Sequence, residues 1–114
     1  MEEEGVAFAA AVERPGRGRV VVRARGELDL LSVPQLEAAL EEAREEGVEI
    51  ALDLGELDFI DSTGVHLILR TWESSRRDGW DLVITAASRE VRRAFELVGL
   101  LDRLPFQDPG QSSS

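Results

Sequence analysis

The sequence predicts a small α/β domain with a mixed, largely parallel β-sheet covered by helices. Residues 20–22 form a β-branched run and residues 48–54 alternate between apolar and polar side chains, and both patterns are typical of strands. Segments with apolar spacing of three, four and seven residues, typical of amphipathic helices, alternate with these strands. The predicted order is β-β-α-β-α-β-α, in which strand–helix–strand units favour parallel neighbours.

The chain is predicted to begin with a hairpin. Residues 6–12 and 20–22 are the two strands, and the Gly- and Pro-containing segment 14–18 is the turn between them. Such a short connection favours antiparallel pairing. Residues 26–29, Gly-Glu-Leu-Asp, then interrupt the strand pattern.

A first helix is predicted over residues 33–46. Ser32 and Gln35 resemble a capping box, and Pro34 is acceptable in a first turn. Gly47 suits the position just after the helix. The predicted buried stripe consists of Leu36, Ala39, Leu40 and Ala43.

The second half of the chain contains two further strands and two further helices. After the strand 48–54, a helix is predicted from Ser62 to Asp78, closed by Gly79. A strand follows at 80–86, and Ser88 is a suitable N-cap for the last helix. The side chains predicted to face inward are Val65, Ile68, Leu69, Trp72, Val91, Phe95 and Val98.

Chain length predicts one domain. The protein has 114 residues, and we assign 1–107 to a single domain and 108–114 to a flexible C-terminal tail. Residues 100–106 form a short apolar segment, predicted to be either a helical turn or an edge strand.

Composition excludes several classes of function. The chain has no cysteine and one histidine, His66, which excludes disulfide frameworks and multi-histidine or thiolate metal sites. Its 23 acidic and 13 basic residues give a net charge of −10, which argues against nucleic acid or an anionic membrane as partner. No apolar run approaches the roughly 20 residues of a membrane span, and the acidic N-terminus is unlike a signal peptide. We therefore expect a cytoplasmic protein.

The segment 58–64 joins a predicted strand to a predicted helix. Asp61 suits an N-cap, which stabilises a helix by about 1 kcal/mol. Ser62 and Thr63 would then lie in the first turn. Gly64 is unexpected there, because glycine inside a helix costs about 1 kcal/mol relative to alanine. We expect another backbone segment to approach Gly64 closely.

A hydroxyl at a helix start is also a good place for a charge switch. A phosphate on Ser62 would add about −1.5 to −2 charges and meet the unsatisfied N–H groups of the helix start. The carboxylates of Asp29, Asp58 and Asp61 are expected nearby. Two unit charges about 6 Å apart interact by roughly 3 kcal/mol at an effective dielectric of about 20, enough to control the binding of a partner. The alternative is that the Asp-Ser-Thr segment is only a helix cap.

Several blocks of this sequence together resemble the STAS domain of bacterial anti-sigma factor antagonists. They are Gly-Glu-Leu-Asp at 26–29, Leu-Asp-Leu at 52–54 and Leu-Asp-Phe-Ile-Asp-Ser-Thr-Gly at 57–64. Residues 91–100 also resemble the last helix of that family. The resemblance extends from about Val20 to Phe106.

The resemblance implies a partner-switching function. In that family, an anti-sigma factor with serine kinase activity phosphorylates the first hydroxyl of the block, which is Ser62 here. The unphosphorylated domain binds the anti-sigma factor and frees the sigma factor. Phosphorylation ends this binding, and a PP2C-type phosphatase restores it. The resemblance implies neither a cofactor nor catalysis by the chain itself.

The same resemblance implies which residues contact the partner. Asp29 matches the family's acidic residue beside the acceptor, Asp61 matches the Asp before it, and Thr63 and Gly64 complete the block. His66 departs from the apolar or small residue usual at its position and is expected on or near the partner face.

Three alternatives remain. The domain could be a non-switching scaffold or a subunit of a stressosome or transport complex, as other STAS domains are. Ser62 and His66, four residues apart, could act as nucleophile and base, but Ile60 replaces the first glycine of a hydrolase elbow. Asp53, Asp58 and Asp61 could bind Mg²⁺, although solvated or capping carboxylates are the preferred explanation. We predict that the chain is not an enzyme and binds no metal.

Overall fold

The structure has the predicted architecture of a mixed sheet packed with three helices. This computed structural model describes residues 7–46 and 49–107. The strands are β1 (Phe8–Glu13), β2 (Arg19–Leu28), β3 (Glu49–Ile60) and β4 (Leu82–Ala87). The helices are α1 (Val33–Arg44), α2 (Ser62–Asp78) and α3 (Arg89–Leu97). Their order along the chain is the predicted one.

The sheet has the strand order β1-β2-β3-β4. The predicted antiparallel hairpin is confirmed, with Val12 opposite Val22. The pairs β2–β3 and β3–β4 are parallel, and their registers place Val22 beside Leu52 and Leu52 beside Ile84. Each strand–helix–strand unit therefore moves to the adjacent strand, which brings the carboxyl ends of β2, β3 and β4 to one edge of the sheet.

The core lies between one face of the sheet and the helices. It contains alternate residues of the strands together with apolar residues from all three helices. Val21 of β2, Ala51 of β3 and Val83 of β4, which lie one residue out of phase, do not belong to this cluster. On that opposite face, Arg23 bonds to Glu13 at 2.9 Å and to Asp53 at 3.1 Å, which links three strands through charged side chains.

Two strands are longer than predicted. β2 continues through Gly26 to Leu28, so the expected interruption at residues 26–29 is wrong. β3 continues through Gly55 to Ile60, with shifts in register where β2 and β3 pair. Gly26 has φ of 97°, and a Cβ there would lie 2.3 Å from the carbonyl oxygen of Ala7. Only glycine fits where β2 approaches Ala7, the residue before β1, this closely.

The start of α1 differs from its prediction. Ser32 occupies the N-cap position and Pro34 lies in the first turn, but the Ser32 side chain makes no capping hydrogen bond, so the capping box is wrong. The hydroxyl instead bonds to the preceding loop. The helix ends at Arg44, two residues before the predicted end, and Gly47 lies outside the described residues. All four residues of the predicted stripe are buried.

Helix α2 has the predicted bounds. Gly79 ends it in a left-handed conformation and donates its N–H to the Ser75 carbonyl at 2.9 Å. Val65 and Ile68 are buried as predicted. Leu67, which was not predicted, is also buried, whereas Leu69 and Trp72 are only half-buried against the core.

Helix α3 follows its prediction except at its end. Ser88 caps it by accepting the Val91 N–H at 3.2 Å, and Val91 and Phe95 are fully buried. Val98 was expected to face inward, but it is exposed because the helix ends at Leu97 and Val98 is the C-cap.

The segment after α3 combines the two predicted possibilities. A turn at residues 101–104 is followed by one parallel bridge from Phe106 to Ile84 of β4. The Phe106 ring packs edge-on against Phe95, with 5.3 Å between ring centroids. The predicted tail, residues 108–114, lies outside the described residues.

Candidate functional site

The candidate site lies where β2 and β3 end and α2 begins. Leu28 and Ile60 are register partners at the ends of the two parallel strands. The Asp61 N–H donates to the Leu28 carbonyl at 3.1 Å, which continues the pairing by one bond. Asp29 and Asp61, the next residue of each segment, therefore lie at the same edge of the sheet, as the sequence predicted.

Asp61 is the N-cap of α2, as predicted. Its Oδ1 accepts the N–H of Thr63 at 2.9 Å, the N–H of Gly64 at 3.2 Å and the Thr63 hydroxyl proton. Partial burial opposes the charged form, but these bonds and one from the Leu30 N–H together lower the pKa of Asp61. Asp61 therefore stays ionised at neutral pH and holds the first turn of the helix.

Ser62 is the first residue of α2 and its side chain is exposed. Within residues 7–46 and 49–107, no group hydrogen-bonds to its hydroxyl. Thr63 differs, because it is half-buried and its hydroxyl is bound to Asp61. Of the two neighbouring hydroxyls, that of Ser62 is the one open to a visiting protein.

The N–H groups at the start of α2 are partly occupied, which bears on the expectation for a phosphate at Ser62. The N–H groups of Thr63 and Gly64, which were expected to meet the phosphate, already donate to the Asp61 carboxylate. A phosphate on Ser62 would meet that carboxylate instead. Negative charge added at Ser62 would therefore be repelled by the ionised cap.

Gly64 is buried because side chains, not another backbone, press against it. A Cβ at this position would lie 2.8 Å from Cγ1 of Ile60 and 2.9 Å from Cδ2 of Leu28. Both side chains belong to the core. The expected close backbone approach is therefore wrong, and the glycine allows α2 to sit tightly on the ends of β2 and β3.

Asp29 holds the loop between β2 and α1. Its Oδ1 accepts the N–H groups of Leu31 and Ser32, each at 3.1 Å. Ser32 is only 6% exposed, and its Oγ accepts the Asp29 N–H at 2.9 Å and donates to the Glu27 carbonyl at 2.8 Å. Sequence reasoning missed this role of Ser32, because a serine before a helix resembles a cap.

Two exposed leucines also lie in this loop. Leu30 is 68% exposed and Leu31 is 86% exposed, and Phe59 near the end of β3 is half-exposed. Sequence reasoning did not single out the leucines. Their signal was that both lie between Asp29 and the start of α1, outside the apolar stripe of that helix.

The remaining candidate residues from the sequence are His66, Asp58 and Asp53. His66 and Asp58 are exposed, whereas Asp53 is bound to Arg23. Among residues 7–46 and 49–107, no group of three or more His, Cys, Asp or Glu side chains could hold a metal ion, and Ser62 makes no hydrogen bond to His66. No helix in those residues is long and apolar enough to cross a membrane.

Comparisons with known sequences place the chain among bacterial regulators. Residues 9–111 match the STAS domain family. The anti-sigma-B factor antagonist of Staphylococcus aureus is 35% identical over 82 residues, covering 71% of this chain and 76% of the relative. The anti-sigma-B factor antagonist of Staphylococcus epidermidis is 34% identical with the same coverage.

Comparisons with solved structures agree. The unphosphorylated anti-sigma factor antagonist SpoIIAA is 28% identical, with a TM-score of 0.70 over 92% of this chain and 93% of that one. The phosphorylated Bacillus SpoIIAA is 27% identical, with a TM-score of 0.66 over 92% and 96% of the two chains. An anti-sigma factor antagonist from Mycobacterium paratuberculosis, 24% identical, shares the fold with a TM-score of 0.78 over 93% and 90%. The predicted resemblance is thus confirmed, and this chain belongs to the STAS domain family.

Proposed function

We propose that this chain is an anti-sigma factor antagonist controlled at Ser62. Its unphosphorylated form binds an anti-sigma factor that is also a serine kinase and thereby frees a sigma factor. Phosphorylation of Ser62 ends this binding, and a PP2C-type phosphatase restores it. The observation that carries the proposal is the exposed Ser62 hydroxyl at the start of α2, beside a carboxylate that already caps the helix.

The relatives support the partner class. The two staphylococcal relatives are named for their action against an anti-sigma-B factor, and SpoIIAA is known in an unphosphorylated and a phosphorylated form. The Asp-Ser-Thr-Gly block of this chain occupies a surface where such a modification is sterically possible. The similarity to SpoIIAA and the exposure of Ser62 therefore support the same proposal.

Electrostatics supports the switch. A phosphate at Ser62 would add about −1.5 to −2 charges beside the ionised Asp61, with no free amide from Thr63 or Gly64 to stabilise it. Any partner that fits the unmodified surface would then have to accommodate a hydrated dianion. A loss of 1.4 kcal/mol on binding is a tenfold loss of affinity, so a modest mismatch is sufficient.

The other predicted contact residues take different parts in this proposal. His66 is exposed on α2, one turn after Ser62, and is available to the partner. The Thr63 hydroxyl and the Asp61 carboxylate are bound to each other, and Gly64 is buried. These three shape the helix start, and we assign the direct contacts to exposed groups around them.

The first experiment is capture of the partner from the source cells with immobilised protein. Wild-type chain, Ser62→Ala and Ser62→Asp are compared, and each captured kinase is then purified for titration. We expect Ser62→Ala to bind as the wild type does and Ser62→Asp to bind at least about tenfold more weakly. Ser74→Asp, with the same added charge three turns along α2, is the control and should retain binding.

The second readout is the site of modification. Incubation of the chain with the captured kinase and ATP, followed by mass spectrometry, should place one phosphate on Ser62 and none on Ser62→Ala. Modification elsewhere would contradict the assignment. Capture of scaffold or transport subunits, with equal binding by Ser62→Ala and Ser62→Asp, would favour the non-switching alternative.

A further inference from the structure

The loop between β2 and α1 presents two leucines to solvent. Leu30 is 68% exposed and Leu31 is 86% exposed, and they are adjacent in the chain. Exposed leucines are ordinary when scattered singly, but an adjacent pair next to a candidate site marks a contact surface. Moving a leucine side chain out of water is favourable, and in the isolated chain most of the surface of these two side chains remains in water.

The backbone that carries the leucines is fixed from beneath. Asp29 accepts the Leu31 N–H at 3.1 Å, and the buried Ser32 hydroxyl joins the Asp29 N–H to the Glu27 carbonyl. The Val33 N–H also donates to the Asp29 carbonyl at 2.9 Å. A partner therefore loses little conformational entropy when it binds this loop, which is the advantage of a preorganised surface.

The loop also lies beside the start of α2. Leu28 and Ile60 are register partners, and the Asp61 N–H donates to the Leu28 carbonyl at 3.1 Å, so the strand end that precedes the loop is bonded to the cap residue of α2. Leu30 and Leu31 follow Leu28 by two and three residues, and Ser62 directly follows Asp61, so all three lie at this junction. A protein that covers Ser62 would contact this loop as well.

We propose that Leu30 and Leu31 are the apolar anchors for the anti-sigma factor and that Asp29 is a positioning residue that holds them in place. This inference rests on the proposed function, and it specifies the kind of surface that the partner presents to the loop. Exposed acidic residues stand near the ends of both strands that lead to this edge, Glu27 two residues before Asp29 and Asp58 three residues before Asp61, and the chain carries a net charge of −10. The complementary surface is an apolar recess bordered by basic side chains.

Asp29 therefore acts through its hydrogen bonds rather than through its charge. An asparagine at position 29 keeps an oxygen that accepts the Leu31 and Ser32 N–H groups, because Asn and Asp form the same local turn. It removes the negative charge completely. Alanine at position 29 removes both the charge and the bonds, so the pair of variants separates the two roles.

The test is titration of the purified kinase captured by the Ser62→Ala chain. We expect Leu31→Ser to bind about tenfold or more weakly than the wild type and Leu30→Ser to show a similar loss. Asp29→Asn should bind as the wild type does, and Asp29→Ala should lose affinity. Leu97→Ser is the matched control, because Leu97 is a similarly exposed leucine (74%) at the far end of α3.

A kinetic readout accompanies the titration. With the chain as substrate of the kinase, Leu31→Ser should raise KM and leave kcat unchanged, since the leucine binds the kinase away from the reacting hydroxyl. Thermal unfolding of each variant confirms that it is folded. The same KM and affinity for Leu31→Ser, Leu97→Ser and the wild type would overturn the inference.

The two proposals fail in different ways. If the wild type binds the kinase and Ser62→Asp does not, the proposed function holds, and wild-type binding by the leucine variants overturns the anchors alone. A tenfold loss with Asp29→Asn equal to that with Asp29→Ala would overturn the positioning role. If the wild type recovers no kinase, both proposals are overturned.

Discussion

Helices α1 and α2 both begin beside a serine at the same edge of the sheet, yet the two serines have opposite roles. At α1, Ser32 is the N-cap by position, but its side chain is buried and its hydroxyl joins Glu27 to Asp29. At α2, Asp61 takes the capping bonds and Ser62 follows it with an exposed hydroxyl. A serine becomes available for chemistry when a neighbouring side chain has already met the structural needs of the helix start.

The difference between the two serines should be largest in the free energy of unfolding of their alanine variants. Ser32→Ala removes a buried hydroxyl and leaves the half-buried Asp29 N–H without its acceptor, which costs about 1–3 kcal/mol. Ser62→Ala removes an exposed hydroxyl and should change stability by less than about 0.5 kcal/mol. In thermal unfolding, 1 kcal/mol corresponds to roughly 4–8 °C for a domain of this size. Equal melting temperatures for the two variants would break the comparison.

The third residue of each helix, Gly64 in α2 and Gln35 in α1, extends the comparison. Gly64→Ala places a methyl group against Ile60 and Leu28, and overpacking typically costs about 1–3 kcal/mol. The better helix propensity of alanine offsets about 1 kcal/mol of this cost. We expect a net loss of about 0–2 kcal/mol by urea unfolding. Gln35→Ala, at the equivalent position of α1, is the exposed control and should be neutral or slightly stabilising.

The smallest predicted effect is the loss of folding stability that Asp61 causes at acidic pH. The pKa of Asp61 is lower in the folded chain than in the unfolded one, so its charged form adds stability above its ordinary pKa of about 3.9. This contribution disappears as the pH falls through the lowered pKa of the folded state. Asp61→Asn keeps an oxygen for the cap but does not titrate.

The wild type should therefore exceed Asp61→Asn in stability at pH 7 by about 0.3–1 kcal/mol, the usual value of a charge at a helix start. The gap should narrow as the pH falls from about 5 towards 2, measured by urea unfolding at each pH. A gap that stays constant over this range would show that the charge of Asp61 adds nothing to its role as a cap.

The helices were the most predictable part of the fold. Asp61, the apolar spacing and Gly79 are local signals, and they placed α2 within its observed bounds. The extensions of β2 across Gly26 and of β3 across Gly55 were missed, because glycine weakens a strand locally while pairing with neighbours sustains it. Val98 was missed because one C-terminal turn decides whether a residue still faces the core.

The site was predicted in part. The motif residues identified the edge where Asp29 and Asp61 lie together, and they identified Asp61 as the cap. The burial of Ser32 was not predictable, since it depends on how the loop folds onto the end of β2, and the only signal for the exposure of Leu31 was its position outside the apolar stripe of α1. Local sequence predicts the polar groups of such a site more readily than it predicts the residues that surround them.

The cap on α2 has a consequence for reversibility. Because Asp61 already holds the Thr63 and Gly64 amides, a phosphate on Ser62 would gain no intramolecular bonds from them that removal must break. Repulsion from the ionised Asp61 would make the phosphorylated chain the less stable of the two, with no bonds from these amides to hold the phosphate. A hydrolase could reset the modification without opening the domain, and each cycle would begin from the same resting state.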